Sequence, residues 1–88
     1  MKAEYEEMKH HVGKHHPFAI PLVIDEIWPD LSFHERRVRI SKFNSYLIKD
    51  ARWGEAKKAG TAKYNFKRKA SNGHEYHYSK MLVLWELI

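Results

Sequence analysis

Apolar side chains recur at helical spacing along the N-terminal part of this chain and at strand spacing towards its C-terminal end. Tyr5, Met8 and Val12 stand at i, i+3 and i+7 in a run of good helix formers, which predicts an amphipathic helix over residues 1–12 ended by Gly13. Ile20, Val23, Ile24 and Ile27 repeat the spacing, so 18–28 reads as a second helix. Pro17 and Pro21 are tolerable only near its first turn, and Pro29 stops it. Ser32-Phe33-His34-Glu35 is a capping-box pattern, in which the serine oxygen caps the Glu35 amide and the glutamate reaches back to the Ser32 amide. From that start, Phe33, Ile40, Phe43, Leu47 and Ala51 fall within about 80° of one another at about 100° per residue, a continuous core stripe on one long helix. The opposite face carries Val38, Lys42, Ser45 and Lys49, flanked by Arg39, Ser41, Tyr46 and Arg52.

After Trp53-Gly54, residues 55–60 read as a loop, and from Lys63 to Lys69 polar and apolar residues alternate. Asn72-Gly73 is the pair that favours a type I′ hairpin turn, since both residues accept positive φ. A second strand is expected from His74 to about Leu87. With Asn72-Gly73 as a two-residue loop, Arg68 faces His77, Phe66 faces Ser79, Tyr64 faces Met81 and Ala62 faces Val83. That register gathers Tyr64, Phe66, Met81 and Val83 on one side. It leaves Lys69 beside Tyr76, Lys67 beside Tyr78, Asn65 beside Lys80 and Lys63 beside Leu82 on the other.

With 88 residues the chain is one domain, and a chain this short has room for neither a second core nor a deep cofactor cleft. No cysteine is present, so packing alone must hold the fold. No apolar run approaches the roughly 20 residues of a membrane span, and the N-terminus lacks a signal-peptide stretch. No membrane partner is expected, and the default address is the cytoplasm. The net charge of +5 is unevenly placed. Residues 1–31 hold three lysines and six acids, a balance of −3, whereas residues 32–88 hold thirteen bases and five acids, a balance of +8. A localised basic half points to an anionic partner, nucleic acid before acidic membrane or protein.

In order, these elements are helix, helix, long capped helix and a basic hairpin, and in that order the chain resembles a winged-helix (winged helix-turn-helix) DNA-binding domain. The matching parts are the helix around Ile20 to Ile27, the turn Pro29-Asp30-Leu31, the capped helix from Ser32 in recognition-helix position, and a wing from Lys63 to Leu87. The resemblance implies an α+β fold of three helices followed by a C-terminal β-hairpin wing, with residues 17–87 as its core and 1–14 as an appended N-terminal helix. It also implies a third helix in the major groove and a wing on the backbone or minor groove. An alternative remains within it: residues 33–39 as a separate short helix, with a break near Arg39 to Ser41, making 41–52 the recognition helix.

Carried onto this chain, the helix face that would meet DNA holds Arg39, Ser41, Lys42, Ser45, Tyr46, Lys49 and Arg52, and the wing tip adds Lys67, Arg68, Lys69 and Asn72. Lysine and arginine neutralise phosphates, arginine also reads guanine, and Ser45 can donate to phosphate or base. By itself a lysine-bearing helix face is an ordinary solvated face, and its coincidence with a basic hairpin is what favours binding. Arg36 and Arg37 lie near the edges of the stripe and suit intramolecular pairing with Asp30 and Glu26. Tyr76 and Tyr78 would suit stacking on a single strand, although tyrosine and lysine across a sheet are also ordinary stabilisers. Trp28, Trp53 and Trp85 fit core and element-end packing.

His11 and His15 have i, i+4 spacing, but Gly13 separates them and no cysteine or carboxylate set completes a metal site. His10, His11, His15 and His16 read instead as a polar surface patch. No nucleophile elbow, carboxylate pair or glycine-rich phosphate loop is present, so neither catalysis nor a cofactor is expected. The expected activity is duplex DNA binding by a small transcriptional regulator or DNA-transaction accessory factor, which would place it on the nucleoid. A homodimer would suit palindromic sites. The alternatives are a winged-helix protein-interaction module, whose Tyr5, Met8, Val12 stripe engages a partner, and a binder of single-stranded nucleic acid or RNA.

Overall fold

A computed structural model describes residues 1–88, the side chain of Arg68 excepted. The chain forms α1 (Lys2–Val12), α2 (Ile20–Ile27), α3 (Phe33–Arg52), β1 (Ala56–Lys69) and β2 (Glu75–Leu87), an α+β arrangement of three helices followed by a two-stranded antiparallel hairpin.

In α1 the i, i+3 pair Tyr5 and Met8 is wholly buried, and Gly13 at φ 70° ends the helix while its amide donates to the Lys9 carbonyl at 3.0 Å. The next residues cross the base of the hairpin. The His15 amide donates to Leu87 at 2.8 Å, and Phe18 and Trp85 exchange a pair of backbone hydrogen bonds at 2.8 Å each. That pairing holds Phe18 extended, which is why α2 starts at Ile20 and not at 18; Pro21 then occupies its first turn, where no donor is needed.

Ser32 caps α3, its oxygen accepting from the Glu35 amide at 3.1 Å. The Glu35 carboxylate accepts from the Ser32 hydroxyl at 3.0 Å, so the return bond of the expected box goes to the side chain. The helix runs unbroken for 20 residues, without a break near Arg39 to Ser41. Phe43 and Leu47 are buried and Ile40 and Ala51 partly so, but Phe33 is 62 % exposed. The core does not reach the first turn of α3. Past Trp53, Gly54 at φ 75° turns the chain straight into β1, so residues 56–60, expected to be loop, begin the strand.

The hairpin is closed by Ser71-Asn72-Gly73. The Gly73 amide donates to Ala70 at 3.0 Å and the Ala70 amide to His74 at 2.9 Å. Gly73 alone takes a left-handed φ of 86°, whereas the expected type I′ turn would need Asn72 there as well. A three-residue loop with glycine in the bulge position replaces the two-residue loop, and the register moves by one: Lys67 faces His77, Phe66 faces Tyr78, Asn65 faces Ser79, Tyr64 faces Lys80 and Lys63 faces Met81. A one-residue slip exchanges the faces of a whole strand. Nearer the base, a register shift between Lys58 and Gly60 breaks the ladder.

The core joins Tyr5, Met8, Phe18, Val23, Ile24, Phe43, Leu47, Ala56, Trp85 and Leu87, and so draws on every element but only on the base of the hairpin. The remainder is an arm that gives the molecule extents of 47 × 25 × 18 Å.

Tyr5 sits at the centre of this core. Its ring lies 5.7 Å from Phe43 and 4.9 Å from Tyr46, and its hydroxyl donates to Asp50 Oδ2 at 2.6 Å. Burial, then the bond to the Asp50 carboxylate, raises the ionisation of this phenol far above its ordinary range. Removing the hydroxyl leaves Asp50 short of a partner, so Tyr5→Phe is expected to cost about 1 to 2 kcal/mol in urea unfolding. The unfolded chain releases this proton from about pH 10 while the folded chain retains it, so wild-type stability falls as pH rises above that point. Tyr5→Phe should lack that part of the alkaline loss.

Candidate nucleic-acid interface

The outer side of α3 keeps much of the expected face free. Ser41, Lys42, Ser45, Lys49 and Arg52 are exposed, and among the described residues Lys42, Lys49 and Arg52 have no ion-pair partner. The Ser45 hydroxyl, however, donates to the Ser41 carbonyl one turn earlier at 3.1 Å. Two residues of the expected face are engaged in the body. Tyr46 packs on Tyr5 beneath the Lys2 ammonium, which lies 5.0 Å from its ring, and the Arg39 guanidinium stacks 4.4 Å over Trp28. Helical spacing put both on the flank of the lysine face, and α1 and Trp28 cover that flank.

Arg36 is fixed by Asp25, not by Asp30 or Glu26: Nε and Nη2 donate to its two carboxylate oxygens at 2.6 and 3.0 Å. That bond raises the guanidinium's ionisation, partial burial opposes it, and the Tyr78 hydroxyl of the arm adds to the same rise. Arg37 lies 5.8 Å over the Phe33 ring.

The arm has two unlike faces. On one, Tyr64 and Phe66 are half-buried, Tyr78 stacks on Phe66 at 5.3 Å, Tyr76 lies 6.3 Å from Tyr78, and Leu82 is buried. Tyr76 and Tyr78 remain exposed, so this face is covered chiefly at Leu82 and in part at Tyr64 and Phe66. On the other face lie Thr61, Lys63, Asn65, Lys67 and Lys69 of β1, with Val83, Met81, Ser79, His77 and Glu75 of β2 opposite them, all exposed. Among the described residues, Lys63, Lys67 and Lys69 have no ion-pair partner.

The register thus corrects the face assignment made from the sequence. Met81 and Val83 belong with the lysines, whereas Tyr76, Tyr78, Lys80 and Leu82 lie with the aromatic residues. The lysines and the tyrosines are therefore on opposite sides of the arm, which removes the juxtaposition that suggested stacking on a single strand. Asn72 sits in the turn, its Oδ1 accepting from the His74 amide at 3.1 Å. Arg68 faces Tyr76 in the backbone ladder, and its side chain lies outside the described residues.

Lys63, Asn65, His77 and Ser79, absent from the sequence-based site, complete the lysine face. The alternation of β1 already set Lys63 and Asn65 beside Lys67 and Lys69, and the signal that would have found His77 and Ser79 is the choice of turn around Asn72-Gly73. Lys57 and Lys58 are engaged elsewhere: Lys57 pairs with Glu86 at 3.1 Å and Lys58 lies 5.7 Å over Trp85.

Other features carry less. The Tyr5, Met8 stripe is buried in the chain's own core and offers no surface to a partner. Trp53, expected to pack at an element end, is instead 77 % exposed. An open cavity of about 670 Å³ at the base of the hairpin is lined by Glu6, Asp50 and Glu55 together with Lys9 and Lys14, charges that largely offset one another. His11 meets Glu26 at 3.5 Å, and no group of three or more metal-binding side chains occurs among the described residues. No helix among them is long and apolar enough to cross a membrane.

The two kinds of cation on α3 should separate by stability. Arg39→Ala removes the stack on Trp28 and is expected to cost about 0.5 to 2 kcal/mol. Lys42→Ala and Lys49→Ala should each stay within about 0.5 kcal/mol of wild type in the same urea titration. Comparison of the chain with protein-family models, curated proteins and solved structures returned no match.

Proposed function

We propose that this protein binds duplex DNA through the lysine face of the arm and the outer face of α3, as a small regulator or accessory factor in DNA transactions. The observation that carries this reading is the free lysine row. Lys63, Lys67 and Lys69 stand four and two residues apart on one exposed strand face without an ion pair among the described residues, Glu75 being the cross-strand neighbour of Lys69. Alternate residues of a strand repeat at about 6.7 Å, so the row covers about 20 Å of a duplex that bears one negative charge per about 1.7 Å of axis.

The three-helix and hairpin order supports the winged-helix version of this reading, in which α3 takes the major groove and the arm the backbone. The length of the arm supports a larger share for it. A two-stranded ribbon is narrow enough for the major groove, and one with both faces outside the core is marginal in water until something covers it. A protein-interaction module on the same fold is the second reading, favoured by the exposure of Phe33 and Ile48 on α3 and of Trp53 just past its end.

Fluorescence anisotropy of a labelled random 25-mer duplex, titrated from 50 to 300 mM salt (about the range over which phosphate contacts weaken), tests the first reading. Saturable binding is expected, with a log–log salt slope of about −5 to −7 for six to eight phosphate contacts. Replacing Lys63, Lys67 and Lys69 by Gln should flatten that slope by about 2.5 to 3, and Lys42→Glu with Lys49→Glu should weaken binding while helicity is retained. Absence of duplex binding at low salt overturns the proposal in favour of the protein-interaction reading.

A further inference from the structure

At the middle of the lysine face stands a neutral, fixed hydrogen-bonding pair. Asn65 and Ser79 are cross-strand partners, and the Ser79 hydroxyl donates to Asn65 Oδ1 at 2.7 Å. Both are exposed, with Lys63 and Lys67 two residues to either side of Asn65 and His77 two residues from Ser79. Resting on the duplex-binding reading, we infer that Asn65, held in place by Ser79, reads an adenine in the major groove while the surrounding lysines hold the phosphates.

The bond from Ser79 occupies one lone pair of Oδ1 and fixes the plane of the amide. It leaves both Nδ2 hydrogens and the second Oδ1 lone pair free. Adenine presents N7 as acceptor and N6 as donor side by side in the major groove, a pattern that an asparagine amide meets with two parallel bonds. A guanine in the same place offers two acceptors, so the asparagine carbonyl would face a carbonyl.

The groove follows from size. Two paired strands lie about 4.8 Å apart before side chains are added, which fits a groove about 12 Å wide and not one about 6 Å wide. Charge is arranged to match, with cations on the flanks of the face and an uncharged donor–acceptor pair at its centre. Met81, two residues from Ser79 on the same face and 58 % exposed, supplies an apolar surface for a thymine methyl. Ser79 is a positioning residue here, since it acts through the orientation of Asn65.

The test is selection of bound sequences from a random duplex pool by the full chain and by Asn65→Ala, Ser79→Ala and Ser79→Thr, followed by affinity for the selected site. Wild type should enrich an A·T pair at a fixed position. Asn65→Ala should lose that preference and bind the selected site about 5- to 150-fold more weakly. Its affinity for random duplex and its salt slope should stay unchanged, and its melting temperature should match that of Ser79→Ala, which loses the same cross-strand bond. Ser79→Ala should lose part of the preference and Ser79→Thr should keep it, and 7-deazaadenine at the enriched position should weaken wild type as Asn65→Ala does. Wild-type preference retained by Asn65→Ala, or no enrichment at all despite duplex binding, overturns this inference alone. No binding of any duplex overturns it together with the reading beneath it.

Discussion

The buried Tyr5 phenol is the contact on which the body of this protein depends. Its ring fills the space between Phe43 and Tyr46 of α3, and its hydroxyl bonds Asp50 near the end of the same helix, so a single side chain ties α1 along much of α3. Lys9 completes the arrangement, 3.9 Å from the Asp50 carboxylate and 5.1 Å from the Tyr5 ring. A buried phenol is tolerated only because its proton has a fixed acceptor. With α1 held in this way, residues 14–18 are brought across the base of the hairpin, where Phe18 pairs with Trp85.

That second attachment explains the shape of the molecule. Trp85, Leu87 and Ala56 belong to the core, and beyond Leu82 the hairpin has only its own ladder and the partly covered aromatic face to support it. A two-stranded ribbon of this kind gains stability from cross-strand pairs, and the Phe66–Tyr78 stack and the Asn65–Ser79 bond are the pairs at its centre. The result is an arm rooted in the core by Ala56, Trp85 and Leu87, whose outer face is free of acids except at Glu75.

The charge of the chain divides along the same line. Cations near the core are engaged there: Arg36 with Asp25, Arg39 on Trp28, Lys9 with Asp50 and Lys57 with Glu86. Those on the outer face of α3 and on the arm have no such partners among the described residues. An isolated surface lysine contributes little to stability, so the fold does not depend on these free groups.

Local sequence settled the elements themselves. The Ser32 capping pattern, the apolar stripes of α1 and α2, the prolines at 21 and 29 and the alternation after Lys63 each act within a turn or two of chain, and each produced the element it implied. The exposed lysines of α3 were legible for the same reason, since they stand opposite Phe43 and Leu47 on one helix. Tertiary structure decided what depends on contact across distance. Trp28 and α1 took Arg39 and Tyr46 out of the free face, the pairing of Phe18 with Trp85 shortened α2, and the lack of a neighbour left Phe33 and Trp53 in solvent. Between the two lies the hairpin register. Asn72-Gly73 marked the turn, but whether one residue or two adopted a left-handed conformation fixed which side of β2 joined the lysines. Because side chains alternate with a period of two, that one torsional choice brought Ser79 to Asn65.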